Sequence, residues 1–116
     1  MKKFARVARS NKCERMADLL SKDELAAELT AVARWLVADR RIGREFQFRD
    51  FAQALRFMNL VGRVAEEMNH HPDWSNSYGR VAIQLTTHSA GGLTLLDTTL
   101  ARRIDEIAAA VLDEAG

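Results

Sequence analysis

The chain has three histidines, His70, His71 and His88, and all of them fall within one short stretch. Histidine is the side chain whose unperturbed pKa lies nearest neutrality, so an imidazole can both give and take a proton. Two carboxylates stand where they could serve these rings. Glu66 lies four residues before His70, a spacing that on a helix puts both on one face and lets the carboxylate orient the ring. Asp97 follows a Gly-rich turn, at the predicted start of a helix. The chemistry such a set could perform is general acid–base catalysis. A plainer reading has equal weight on spacing alone: isolated surface histidines, a solvated Glu66-Glu67 face and an Asp97 that only caps its helix.

Other chemistries fit less well. Zinc is not expected, because adjacent histidines before Pro72 lack the usual ligand spacing on a helix and no cysteine stands near them. A serine nucleophile is not supported, since no Gly-x-Ser-x-Gly elbow occurs. Trp74 and Tyr78 could stack on a flat heterocycle, or simply pack at a sheet edge.

The elements that would carry these residues can be placed from the sequence. Ser21-Lys22-Asp23-Glu24 is a capping box that opens a first helix, with Leu25, Leu29, Val32 and Leu36 at helical spacing. Trp35 to Ala38 also reads as a short strand, and Asp39-Arg40-Arg41 as a turn. Ile42, Arg44, Phe46 and Phe48 alternate with Gly43, Glu45 and Gln47, as in a half-buried strand. Asp50 and Gln53 start a second helix, expected from about Phe51 to Met68 with Leu55, Met58, Val61, Val64, Ala65 and Met68 on its apolar face. Asn69-His70-His71-Pro72 ends it, because proline cannot donate to the helix ladder and pushes His71 toward extended geometry.

Tyr78 to Thr87 reads as a strand with Val81, Ile83 and Leu85 on one face. Ser89-Ala90-Gly91-Gly92 is a turn, and Thr94 can cap a last helix with Leu96, Leu100, Ile104, Ile107 and Val111 as its stripe. The simplest packing of this order is an antiparallel sheet covered on one face by helices. A sheet of that kind could bring His88 and Asp97 toward one mouth, although spacing does not require it.

Composition narrows the setting. With 116 residues and 47% hydrophobic content the chain suits one compact domain, small enough that oligomerisation would supplement its core. A net charge of +1 gives no global case for binding nucleic acid directly or for a membrane surface, and no apolar run reaches spanning length. Cys13 is the single cysteine, which suits a reducing compartment, and a cytoplasmic location is expected. Lys2, Lys3, Arg6, Arg9, Lys12 and Arg15 are opposed locally only by Glu14, so residues 1–20 are expected to form a basic, flexible segment and 21–116 the domain.

The run from Glu66 through His70-His71-Pro72-Asp73-Trp74 to Tyr78, followed by His88 and Asp97, closely resembles the signature of the pterin-4a-carbinolamine dehydratases. The resemblance extends through Leu85-Thr86-Thr87, Gly91-Gly92-Leu93-Thr94 and Leu100-Ala101, and upstream to Arg44-Glu45-Phe46-Gln47-Phe48 and Asp50-Phe51. It covers about residues 23–112. Leu95 and Leu96 depart from it, standing where many members carry polar or charged residues. The resemblance implies an α+β fold, with a four-stranded antiparallel sheet and three helices packed on one face, assembled as a homodimer or homotetramer. It also implies loss of water from a 4a-hydroxytetrahydropterin to give the quinonoid dihydropterin, without cofactor or metal. It assigns His70, His71 and His88 to acid–base and substrate-binding roles. Glu66 would orient His70, Asp97 would hold a histidine or the pterin, and Pro72, Trp74 and Tyr78 would support the pocket. Some animal members bind a homeodomain transcription factor, so a non-catalytic dimerisation module is the alternative reading. The intact set of three histidines and two carboxylates favours the enzyme.

Overall fold

A computed structural model of the protein describes residues 16–114. The basic positions Lys2 to Arg15 and the cysteine at 13 lie outside the described residues. From Met16 the chain already engages the domain: Leu19 bridges to Thr94, and the Leu96 N–H donates to the Met16 carbonyl at 3.2 Å.

Helix α1 spans Lys22–Leu29 and begins with the expected capping box, Ser21 and Glu24 each bonding the other's backbone N–H. A 3₁₀ turn, Thr30–Val32, follows, so the helical spacing that included Leu36 breaks before that residue. Leu36 belongs to strand β1, Leu36–Ala38, and is 76% exposed. Strand β2 is Arg41–Gln47, helix α2 Phe51–Met68, strand β3 Asp73–Ser77, strand β4 Arg80–Leu85 and helix α3 Leu95–Asp113. The four strands form one antiparallel sheet in the order β1-β2-β4-β3.

Period-two alternation decides which face of this sheet is covered. Ile42 and Phe46 of β2 and Val81, Ile83 and Leu85 of β4 are buried, and they meet Phe57, Val61 and Val64 of α2 and Leu100, Ile104 and Val111 of α3 in one core. The stripe on α2 is rotated from the expected one: Leu55 is 43% exposed, while Ala54, Phe57 and Val61 face inward. Gln53 explains part of this, since its amide accepts from the Arg49 N–H and donates to the Val111 carbonyl at 3.2 Å, tying the start of α2 to the end of α3. The bidentate Arg56–Glu114 pair makes a second tie at the surface, and the guanidinium holds the Glu114 carboxyl below its ordinary pKa.

Strand β4 fills most of the stretch from Tyr78 to Thr87 that reads as a strand, and Tyr78-Gly79 is the turn that joins it to β3 in a hairpin. Ser77 pairs with Arg80 across a two-residue turn, Tyr78-Gly79. Tyr78 takes a left-handed backbone, φ 53°, and a Cβ on Gly79 would stand 2.3 Å from the Phe48 carbonyl oxygen, so the turn admits no side chain there. Strand β3, which precedes this turn, carries no apolar alternation because four of its five residues are exposed. Among the described residues no helix is long and apolar enough to cross a membrane.

Candidate active site

The end of α2 determines where the paired histidines go. Asn69 adopts the left-handed conformation, φ 51° and ψ 43°, with its N–H bonded to the Ala65 and Glu66 carbonyls. Asparagine tolerates this geometry better than most residues with a Cβ. The chain thereby leaves the helical path one residue before His70, and the two imidazoles part company. His70 is buried, with its N–H on the Ala65 carbonyl, whereas His71 is exposed.

This reversal changes the expected partner of Glu66. Glu66 meets His71, with Oε2 2.5 Å from Nε2, rather than His70. The four-residue rule that paired Glu66 with His70 applies only while both are helical, and the helix stops at Met68. His70 pairs instead with Asp97, whose Oδ1 lies 2.6 Å from the ring Nε2.

Asp97 is fully buried at the start of α3, and its position follows from a capping box with Thr94. Its Oδ2 accepts the Thr94 N–H at 2.9 Å and the Thr87 hydroxyl at 2.7 Å. With the Thr87 proton committed there, the Thr94 hydroxyl donates to Thr87 Oγ1 across 2.8 Å. Four buried or nearly buried side chains thus form one closed network, and no buried side-chain polar atom among the described residues lacks a partner. Because Asp97 accepts at both oxygens, Nε2 of His70 is the N–H, and Nδ1 is the ring nitrogen free to exchange a proton.

Leaving β4, the chain turns through Thr87 into a 3₁₀ turn, His88–Ala90, which Gly91 closes in the left-handed region at φ 77°. Thr87 also bridges to Gly92. His88 is therefore exposed at the rim, directly after the buried Thr87. Asn69, His70, His71, Thr86, Thr87, His88, Ser89 and Leu96 line one open cleft of about 300 Å³. Leu96 gives it an apolar wall.

All three histidines border this cleft, with Asp97 behind one ring and Glu66 beside another. Pro72 directly follows His71. Trp74 stands on the helix-side face of the edge strand, paired with Ile83, and does not line the cleft. Tyr78 is not brought to the site. It is 66% exposed at the hairpin tip, and β3 separates it from His71 by roughly 17 Å at the usual rise per residue. Thr87 and Thr94 were missed as site residues; the Thr94–Asp97 spacing announces a cap but not the ring that the cap also holds. Among the described residues no group of three His, Cys, Asp or Glu side chains is arranged to hold a metal ion.

Comparison with known proteins identifies the family. Residues 18–107 match the family model described as pterin 4 alpha carbinolamine dehydratase. A relative from Synechococcus sp. (strain WH7803), named as a pterin-4-alpha-carbinolamine dehydratase, is 48% identical over 92 residues, spanning 79% of this chain and 99% of the relative. One of the same name from Bradyrhizobium sp. (strain ORS 278) is 46% identical over 98 residues, 83% of this chain and 98% of the relative. The crystal structure of a transcriptional coactivator/pterin dehydratase from Brucella melitensis superposes with a TM-score of 0.75 at 40% identity, covering 78% of this chain and 99% of that one. In sequence and in fold, the chain belongs to the pterin-4a-carbinolamine dehydratase family.

Proposed function

We propose that the cleft removes water from a pterin-4a-carbinolamine with its imidazoles as proton carriers. The chain is a dehydratase, a hydro-lyase of this family. The observation that carries the reading of its site is the convergence of His70, His71 and His88 on one cleft, with His70 held by the buried Asp97 network. The elimination needs two proton movements. One proton must reach the departing 4a-hydroxyl so that the C–O bond breaks with water as leaving group. Another must leave the adjacent ring nitrogen as the C=N bond forms. In this reading His71 and His88, exposed on the cleft, exchange protons with the substrate, and Glu66 steadies His71. His70 is fixed in the wall with Nδ1 available for a substrate hydrogen bond. Leu96 forms an apolar wall, and Pro72 restrains the backbone that follows His71.

The test is dehydration of freshly generated carbinolamine by wild type and by His71→Ala, His88→Ala and the double variant. General acid–base groups contribute on the order of 10²–10⁴-fold. The spontaneous reaction caps the visible loss, and a neighbouring ring can partly substitute, so the single losses should not add. The double variant should fall near background with unchanged circular dichroism. A folded double variant with wild-type turnover would place the chemistry elsewhere. Activity should also survive exhaustive chelation, since the proton transfers need only these side chains. Loss on chelation with recovery on adding zinc would contradict that.

The reading includes self-association in a cytoplasmic setting. Phe51 and Leu55 lie 45% and 43% exposed on the outer side of α2, and Leu36 is 76% exposed on an edge strand. Apolar side chains grouped on a helix of a small domain favour pairing with a second copy.

A further inference from the structure

Beyond His88 the cleft does not end. His88 and Thr86 also line a second hollow of about 310 Å³, bounded by Asp39, Arg40, Arg41, Gly91 and Gly92. We propose that this hollow receives an anionic group carried on the side chain of the pterin, a carboxylate or a phosphate, with Arg40 as its recognition residue. The inference rests on the dehydratase reading of the adjoining cleft and goes beyond it by naming the class of substrate.

Three observations point to Arg40. The first is backbone conformation. Asp39 and Arg40 form the two-residue turn between β1 and β2, with Ala38 paired to Arg41, and both have positive φ, 56° and 64°. The second position of such a turn strongly favours glycine, because a Cβ crowds the following carbonyl there. A bulky cation in that place is a local cost with no packing return in the core, since Arg40 is exposed. Outliers of this kind concentrate where the side chain has a function.

The second is placement. The Thr86 hydroxyl donates to the Arg40 carbonyl at 2.8 Å, so the turn is pinned to one of the two residues shared by both hollows. A Cβ added at Gly92 would lie 4.0 Å from both Cβ and Cδ of Arg40, so the arginine stem runs over the glycine toward the Gly91-Gly92 rim. The third is availability. Arg41 is engaged with Asp73 at 3.3 Å and with Gln84 at 3.4 Å, whereas no ion pair or hydrogen bond holds the Arg40 guanidinium among the described residues. Asp39 borders the same hollow and opposes an anion by like charge, so any preference for one rests on Arg40. A planar guanidinium offers paired donors to either a carboxylate or a phosphate.

The experiment compares kcat/KM on three carbinolamines that differ only in the pterin side chain: neutral, carboxylate-bearing and phosphate-bearing. Wild type should favour at least one anionic substrate over the neutral one by about fivefold at low salt, the scale of one exposed ion pair. The preferred anion identifies the source of the charge, and the preference should shrink as salt rises. Arg40→Gly removes the cation while fitting the turn, so the protein should melt no lower than wild type and the anionic-to-neutral ratio should fall to about one. Arg40→Lys should keep most of the ratio. A wild-type ratio of one, or a ratio unchanged in Arg40→Gly, would overturn the inference and leave the dehydratase reading standing. Absence of enzyme-dependent turnover on all three substrates, the neutral one included, would overturn both.

Discussion

At Asp97 one side chain performs two tasks that are usually separate. It closes a helix-capping box with Thr94 and it holds the His70 ring. Replacing it with alanine would strand the Thr87 hydroxyl, the Thr94 N–H and the His70 Nε2, all in a buried setting. At about 1–3 kcal/mol per unsatisfied buried group, the loss should reach ~3 kcal/mol or more, and urea unfolding would measure it. Asp97→Asn is the sharper probe. If the amide oxygen keeps the Thr94 and Thr87 donors, its NH₂ faces His70 and forces that ring to present an acceptor at Nε2. The proton then sits on Nδ1, where the cleft needs a free lone pair. Asp97→Asn should therefore retain most of the stability and lose most of the turnover, and equal losses in both would show that His70 is held for packing alone. The sequence does show the histidines and both carboxylates as candidates, but it pairs Glu66 with the wrong ring. Spacing along a helix carries no information about the residue at which the helix stops.

That stopping residue is an element-scale device. Asn69 turns the chain out of α2 in the left-handed region, so consecutive histidines face different environments, one inside against Asp97 and one outside against Glu66. Asn69→Gly should be nearly neutral in thermal unfolding and in turnover. Asn69→Val should cost at least ~1 kcal/mol and reduce activity further than the stability loss explains, because a β-branched residue resists this backbone. If Asn69→Val loses activity only in proportion to folded protein, the aim of the two rings does not depend on this turn. Elements whose ends carry chemical signals are legible in the sequence. Asp50, Gln53 and the Asn69-to-Pro72 run give α2 its observed limits, and Thr94 with Asp97 gives the start of α3. Strand β3 is not legible. Asp73 to Ser77 forms an edge with neither face well buried, so no alternation marks it, and the Tyr78-Gly79 turn is absorbed into a longer apparent strand.

For the whole molecule, the prediction about assembly follows from where apolar surface remains. The core consumes the inner faces of α2, α3 and the sheet, while Phe51, Leu55 and Leu36 stay exposed. Light scattering at micromolar concentration should report an oligomer, a tetramer in preference to a dimer. Leu55→Glu should lower the mass with little effect on the folded protomer, because that side chain points away from the core. A wild-type monomer under these conditions would remove self-association from the picture. The overall architecture could be anticipated because buried alternation in β2 and β4 and the two long amphipathic helices leave few ways to pack; the second face of the sheet offers no such pattern and its edges had to be seen.

The Thr94 N–H lies 2.9 Å from the same carboxyl group that holds His70 at 2.6 Å. Thr94 itself is fully buried. Its main chain is thus wired to an imidazole that borders solvent, and the wiring is a single carboxylate. In an isotope-labelled sample the Thr94 amide resonance should move when a pterin occupies the cleft and engages the His70 ring. The site would then carry its own spectroscopic probe, readable without replacing any histidine. An amide signal that stays still while the His70 ring signals move on pterin binding would mean that Asp97 does not couple them.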